Sequence, residues 1–438
     1  MKMNQKKNLV LIQFNELNFN LVKHYINEDH LNNFKKIISE GVIETFSEEE
    51  YELLEPWIQW VSVNTGKSAK EHGVFRLGDM VDSQHKQIYE ILEENGNKVG
   101  AVAPMNTANN LSDAAYFISD PWTKTRNSEN FLLSKISNSI SKLVNNNSSR
   151  NMSFIDLLYL SIGFLRYVRV KKYIKMAKLV VTGIKHRWRW AIFLDLFLNE
   201  VHLGLLKTNK PNFSSIFLNC AAHIQHHYLC NNKLSLNKNP SWYIEEDKDP
   251  FQEIIKEYDN IIYEYKNLKK YEMIIATGLS QAPCQSPEFY YRLNDHGKFL
   301  DQFNITYTKI LPRMTRDFLI LCDSENEAKN TQKEIEQLHT EQGDKIFGIV
   351  DNRGNSLFVT LTYNQEITNK ILVFNRDRSI KLKLSEFVSF VALKNGIHDQ
   401  RGYAYLSKKI GIKSKENFHV KEIFNVIINY YNINYFHE

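Results

Sequence analysis

Several side chains in this sequence able to do acid–base or ligand chemistry follow short apolar runs. Asn15, Glu16 and Asn18 come after LVLIQF at 9–14, His223 and His226 after SIFL at 215–218, and Gln281 after MIIA at 273–276. Glu55 stands between Leu54 and Pro56 with Trp57, Gln59 and Trp60 beside it, and His398 and Gln400 lie late in the chain. A carboxylate among apolar neighbours is desolvated, which raises its pKa and suits it to general acid or base work. That makes Glu55 one catalytic candidate; the alternatives are an exposed loop carboxylate or a helix N-terminal charge complementing the dipole. His226 and His398 are the other two, as donors to a departing anionic group. Asn15, Glu16, Gln59, His223, Gln281 and Gln400 are read as substrate-binding, with Trp57 stacking on a base or sugar. Buried polar groups cost free energy unless paired, so a purely structural set would more easily be apolar. Hydrogen bonding within the set is the competing explanation.

These residues need elements to position them. Leu9–Phe14 is a continuous apolar run, as expected of a central strand covered on both faces. A helix is expected over Leu31–Ser39 with Gly41 as its stop, and another over Gln87–Asn95 ended by Gly96. Lys98–Ala103, Ser215–Leu218 and Met273–Ala276 read as further strands. Strands alternating with helices predict an α/β fold with a mostly parallel sheet, whose ligands gather beyond the carboxyl ends of the strands.

The expected layout is a core over 1–130, 212–304 and 386–438, broken by a basic helical insertion at 131–211 and a small α+β insertion at 305–385. The first insertion opens on an Asn/Ser-rich patch at 145–149. It then carries nine Lys and Arg residues with no acid between Asp156 and Asp195. Such a region suits an anionic membrane surface or a phosphate-bearing substrate, or is a solvated face whose lysine stems cover apolar surface. In the second insertion, Glu325–Gln342 reads as helical, and Lys345–Val350 and Ser356–Thr362 alternate like strands.

At 438 residues with 43% hydrophobic and 24% charged content, the chain is of ordinary globular composition. A net charge of +5 is too modest to indicate nucleic acid. Cys220, Cys230, Cys284 and Cys322 are scattered, which suits a reducing compartment. The first apolar run is too short for a signal peptide, and no run of roughly 20 residues could span a bilayer. A cytoplasmic protein, peripheral at most to the inner membrane face, is expected.

Seven stretches in order resemble the phosphodiesterase and nucleotide pyrophosphatase branch of the alkaline phosphatase superfamily. They are LIQFNELNFNLV, EPWIQWVSVNTGKSAKEHGVFRLGD, IYEILEENGNKVGAVAP, KPNFSSIFLNCAAHIQHHYL, YEMIIATGLS, RLNDHGKFLDQFNI and NGIHDQRGYAYLSKKIG. The resemblance implies that superfamily's α/β fold and a site where two divalent ions flank the phosphoryl group. Here the implied ligand positions are largely rewritten. Asn15 stands at the first aspartate, Pro56 at the nucleophile, Ala222 four residues before His226, and Gly278 and Leu279 at the Asp-His pair. His226 and His398 alone match, and a one-residue shift makes Glu16 a ligand. Asp295-His296-Gly297 mimics the metal motif but is read as a helix start.

No cofactor is therefore expected and no metal ligand is assigned, although a single divalent metal at Glu16, His226 and His398 stays open. The leading expectation is a transferase of surface-glycan assembly. It would use a nucleotide-activated or phosphate-bearing small molecule, such as a sugar nucleotide, and a lipid-linked acceptor at the membrane. Two alternatives stand beside it: a metal-dependent phosphodiesterase or pyrophosphatase, and a non-catalytic phosphate-binding protein.

Overall fold

The structure is a computed structural model describing residues 7–126, 128–145, 153–312, 316–410 and 417–435. The Asn/Ser-rich patch at 145–149 lies outside these residues apart from Asn145.

Continuous apolar runs become the central strands, because a strand covered on both faces has no side to leave polar. In chain order the main sheet is built from β1 (Leu9–Phe14), β2 (Val42–Phe46), β3 (Val99–Val102), β4 (Tyr116–Ile118), β5 (Phe213–Leu218), β6 (Glu272–Ala276), β7 (Arg401–Leu406) and β8 (Phe418–His419). Their spatial order is β8-β2-β7-β6-β1-β5-β3-β4. All six residues of β1 are buried, and the strand pairs in parallel with both neighbours, Leu9 lying opposite Phe213 and Glu272. Only β7 runs against its neighbours. The protein is thus an α/β fold with a mostly parallel central sheet flanked by helices.

Parallel pairing puts the ends of β1, β5 and β6 at one edge, and Asn15, Glu16, His223, His226 and Gln281 follow those ends. Helix α1 (Asn32–Gly41) leads into β2. Helix α2 (Pro56–Thr65) starts on a proline whose fixed φ suits the first helical position and whose missing N–H costs nothing there. It stops at Gly66, which at φ 71 donates its N–H to the Ser62 carbonyl. Helix α3 (Ile88–Glu94) precedes β3. The segment 131–211 carries α4 (Phe131–Asn145), α5 (Phe154–Tyr167), α6 (Tyr173–Gly183) and α7 (Trp188–Asn209). Helices α8 (Cys220–Tyr228) and α9 (Pro250–Lys266) lie between β5 and β6.

The chain divides into two compact units. The sheet and the helices named above belong to the first, made of Met1–Leu234, Ile244–Pro283 and Gly396–Glu438. The second comprises Ser235–Tyr243 and Cys284–Asn395. The α+β insertion expected at 305–385 falls inside this second unit. It holds an antiparallel sheet ordered Asp351–Asn352, Ser356–Thr360, Asp317–Leu321 and Lys309–Pro312, with the helix Glu325–Glu336. Its core includes Phe299, Phe318 and Phe347. Lys345–Val350 is not a strand, contrary to expectation: Lys345 and Phe347 form isolated bridges, to His339 and Leu361, instead of a continuous ladder. The Asp295-His296-Gly297 decoy is a helix start, with Asp295 Oδ1 accepting from the Lys298 N–H at 3.0 Å.

Candidate functional site

Glu16 is the centre of the site. It lies two residues past the end of β1, is 1% exposed, and has φ 58, a left-handed conformation that few non-glycine residues adopt. Its N–H donates to the Thr277 carbonyl after β6, and its own carbonyl accepts from Gln225 Nε2 at 2.7 Å on α8. The chain turns sharply off the central strand, tied on both sides. The carboxylate is thereby held at the point where β1, β5 and β6 end.

Two imidazoles converge on one of its oxygens. His226 Nε2 lies 3.1 Å and His398 Nε2 3.4 Å from Glu16 Oε2, and the rings are 5.1 Å apart edge to face. Gln281 Nε2 donates to the same oxygen, and Asn15 Nδ2 donates to Oε1 at 3.1 Å. Burial alone would raise the Glu16 pKa. The charges and hydrogen bonds of His226 and His398 overcome it and hold the carboxyl well below the usual carboxylate range.

The other nitrogen of His398 faces Glu55, with Nδ1 3.9 Å from Glu55 Oε2. Glu55 is the N-cap residue of α2, yet its side chain makes no capping bond. Burial pushes its carboxyl up, opposed by His398 and His226 and reinforced by Glu16. The site opens to solvent on this side: His226 and Glu55 are each about one-third exposed, against 13% for His398.

The donor set suits a divalent cation. Glu16, His226 and His398 each offer a ligand atom, all within 4.8 Å of one another. Ligand atoms about 2.1 Å from a tetrahedral ion lie about 3.4 Å apart, close to the two separations above. Three protein ligands with an open position are the pattern of catalytic rather than structural zinc. Glu55 beside the far nitrogen of His398 resembles the carboxylate that orients a ligating imidazole.

No protein-family profile matches the chain, and no curated protein matches it. Solved structures similar to it include murine ectonucleotide pyrophosphatase/phosphodiesterase 5, at 11% identity and TM-score 0.43, covering 99% of this chain and 97% of that one. Phosphonoacetate hydrolase from Sinorhizobium meliloti is similar at 9% identity and TM-score 0.46, over 98% and 96%. Alkaline phosphatase from the Antarctic bacterium TAB5 follows at 12% identity and TM-score 0.37, over 99% and 100%; a mutant form of it holds bound Mg.

The expectation of no cofactor is corrected here. The sequence lacks a full two-metal ligand set, which favours reading the histidines as hydrogen-bond donors. The structure brings a buried carboxylate and two imidazole nitrogens to ligand spacing instead. Two of the substituted positions, Asn15 and Gly278, lie against Trp60. The Trp60 indole N–H donates to Asn15 Oδ1 at 2.7 Å, and its fully buried ring lies 3.2 Å from where a Gly278 Cβ would be. The indole fills the space beside Asn15 and Gly278, where the sequence resemblance expects two more ligands.

Not every sequence candidate reaches this cluster. Gln59 is buried and donates to the Leu53 carbonyl, bracing the entry to α2. The Trp57 indole donates to the Phe75 carbonyl and packs on the core. Gln400 is exposed. His223 pairs with His227 on α8, and desolvation with these neighbouring histidines holds its pKa down to about 3. Two residues that the sequence reading passed over do contribute. Gln225 braces the Glu16 backbone and accepts from the Asn18 N–H, and Asn219 Oδ1 accepts from Asn15. The available signal was Gln225 itself, an amide beside His226 at a position where a helix would bury an apolar side chain.

Proposed function

We propose that the chain is a metal-dependent hydrolase of phosphate-bearing small molecules, with one divalent ion held by Glu16, His226 and His398. The convergence of these three ligand atoms around a buried carboxylate carries the reading. The phosphate class rests on the sequence resemblance to phosphodiesterases and pyrophosphatases. A bound divalent ion would supply charge compensation and polarisation of a phosphoryl oxygen.

The chain's own groups supply the rest. Glu55, with its carboxyl raised by burial and its edge open to solvent, accepts the proton of an attacking water at its carboxylate oxygen. Glu16 contributes buried negative charge, and Gln281 and Asn15 fix its orientation by donating to its two oxygens. His398 lies between the two carboxylates, so its orientation couples the ligand cluster to the base. Pro56, where the resemblance expects a hydroxyl, leaves no nucleophile at that position, which favours direct attack by water. Solvent reaches the His226–Glu55 side, so hydrolysis is preferred over transfer to a sugar or lipid-linked acceptor.

The reading is tested by turnover of bis-p-nitrophenyl phosphate and dinucleoside polyphosphates with added Zn²⁺ or Mn²⁺ and, separately, with excess chelator. Metal-dependent hydrolysis, abolished by chelator and in His226→Ala, is expected. Hydrolysis that survives the chelator, or ligand binding without turnover in any arm, would overturn it.

A further inference from the structure

Helices α5 and α6 are apolar on the side they turn to solvent. On α5, Asp156 and Gly163 are buried, while Phe154, Leu158 and Leu165 on the opposite arc are 80%, 46% and 68% exposed. On α6, Met176 and Gly183 are buried, while Ile174 and Val181 are 86% and 66% exposed, and Ile184 one residue beyond is 74% exposed. The packed sides are fixed by close approach. A Cβ on Gly163 would come within 2.7 Å of Ile136 and 3.3 Å of Phe197, and one on Gly183 would meet the Trp190 ring at 2.2 Å. Soluble helices place their apolar arc inward, so an outward arc of this extent marks an interaction face.

The charge around this face selects the partner. Between Asp156 and Asp195 there are nine Lys and Arg residues and no acid. Arg169, Lys172, Lys175, Lys185 and Arg189 are paired with glutamates outside that span. Arg166, Lys171, Lys178 and Arg187 are exposed and form no ion pair among the described residues. On α6, successive residues turn by about 100°, so Lys178 borders the arc of Ile174 and Val181. Apolar arcs edged by unpaired cations complement the acyl–headgroup boundary of an anionic bilayer. A second copy of the same face would bring like charges together, which disfavours self-association. No helix among the described residues is long and apolar enough to cross a membrane, so α5 and α6 would lie in its plane.

We infer that the α5–α6 face docks the protein on an anionic lipid surface, independently of what the Glu16 cluster does. Flotation of the full chain with phosphatidylcholine vesicles, with and without phosphatidylglycerol, tests this. Binding is expected only to the anionic vesicles, weakening as salt rises. Leu165→Asp with Ile174→Asp should reduce it at least tenfold, and Lys171→Glu or Lys178→Glu by about fivefold each. Circular dichroism melts check that the variants stay folded, and the two lysine substitutions keep the test usable if the apolar ones do not. Absence of binding, equal binding to neutral and anionic vesicles, or unchanged binding by all variants would overturn the inference. So would a dimer, seen by sedimentation, that the same substitutions dissociate.

Discussion

At the residue scale, the site depends on a carboxylate that the backbone places in an unusual conformation. Glu16 at φ 58 is held by backbone and side-chain hydrogen bonds from β6 and α8, so the strain serves placement of the group. Glu55 is placed differently, against His398 and near solvent, and its raised pKa has a sign that can be checked. Activity should rise with pH as Glu55 deprotonates, along an acid limb displaced upward from an ordinary glutamate. Glu55→Gln should remove that limb and lower the rate by roughly 10²–10⁴-fold, while metal content, measured by elemental analysis, stays unchanged. Gly396 shows how tightly the shell is packed: a Cβ there would lie 2.2 Å from Gln281 Oε1 and 2.8 Å from the Gln225 carbonyl. Gly396→Ala is expected to cost about 1–3 kcal/mol in urea unfolding and to weaken metal binding by displacing Gln281. From sequence alone, His226 and His398 were legible because they stand at matched loop positions. Glu16 required a one-residue shift, and the blocking role of Trp60 was not legible, since a buried tryptophan reads as core.

At the scale of elements, the strands were the most legible part. β1, β5 and β6 carry short, largely apolar runs that are almost wholly buried, as a strand covered on both faces requires. The error at Lys345–Val350 has the opposite cause, because a short apolar run filling a core looks like a strand until pairing is known. Helix α7 adds a pH dependence. His202 is fully buried between Tyr265 Oη at 2.6 Å and Ser214 Oγ at 2.7 Å, and desolvation lowers its pKa to about 3. A histidine with a depressed folded-state pKa contributes stability above its ordinary value near 6.5 and loses it as pH falls toward 3. Unfolding free energy should therefore fall with acidification across that window, with His202 contributing up to about 1.4 kcal/mol per pH unit. Urea melts of His202→Gln against the parent should show a shallower acid slope. Equal slopes would remove His202 from the effect.

At the scale of the whole molecule, the three proposed ligands come from distant parts of the sequence, residues 16, 226 and 398, all within the first unit. The α/β fold was legible in the order of strands and helices. The division into two units was harder to read, because Ser235–Tyr243 joins the second unit from far upstream and carries no compositional mark. An ion bound by these ligands stabilises the folded state by mass action, about 2.7 kcal/mol at a free concentration one hundred times its dissociation constant. The most direct measurement is calorimetric titration of the metal-free chain with Zn²⁺ or Mn²⁺, repeated on Glu16→Gln and His398→Ala. Saturation at one ion per chain, with affinity reduced at least tenfold in both variants, is the predicted result. No binding by the parent, or binding that both variants retain unchanged, would contradict a metal centre at Glu16, His226 and His398.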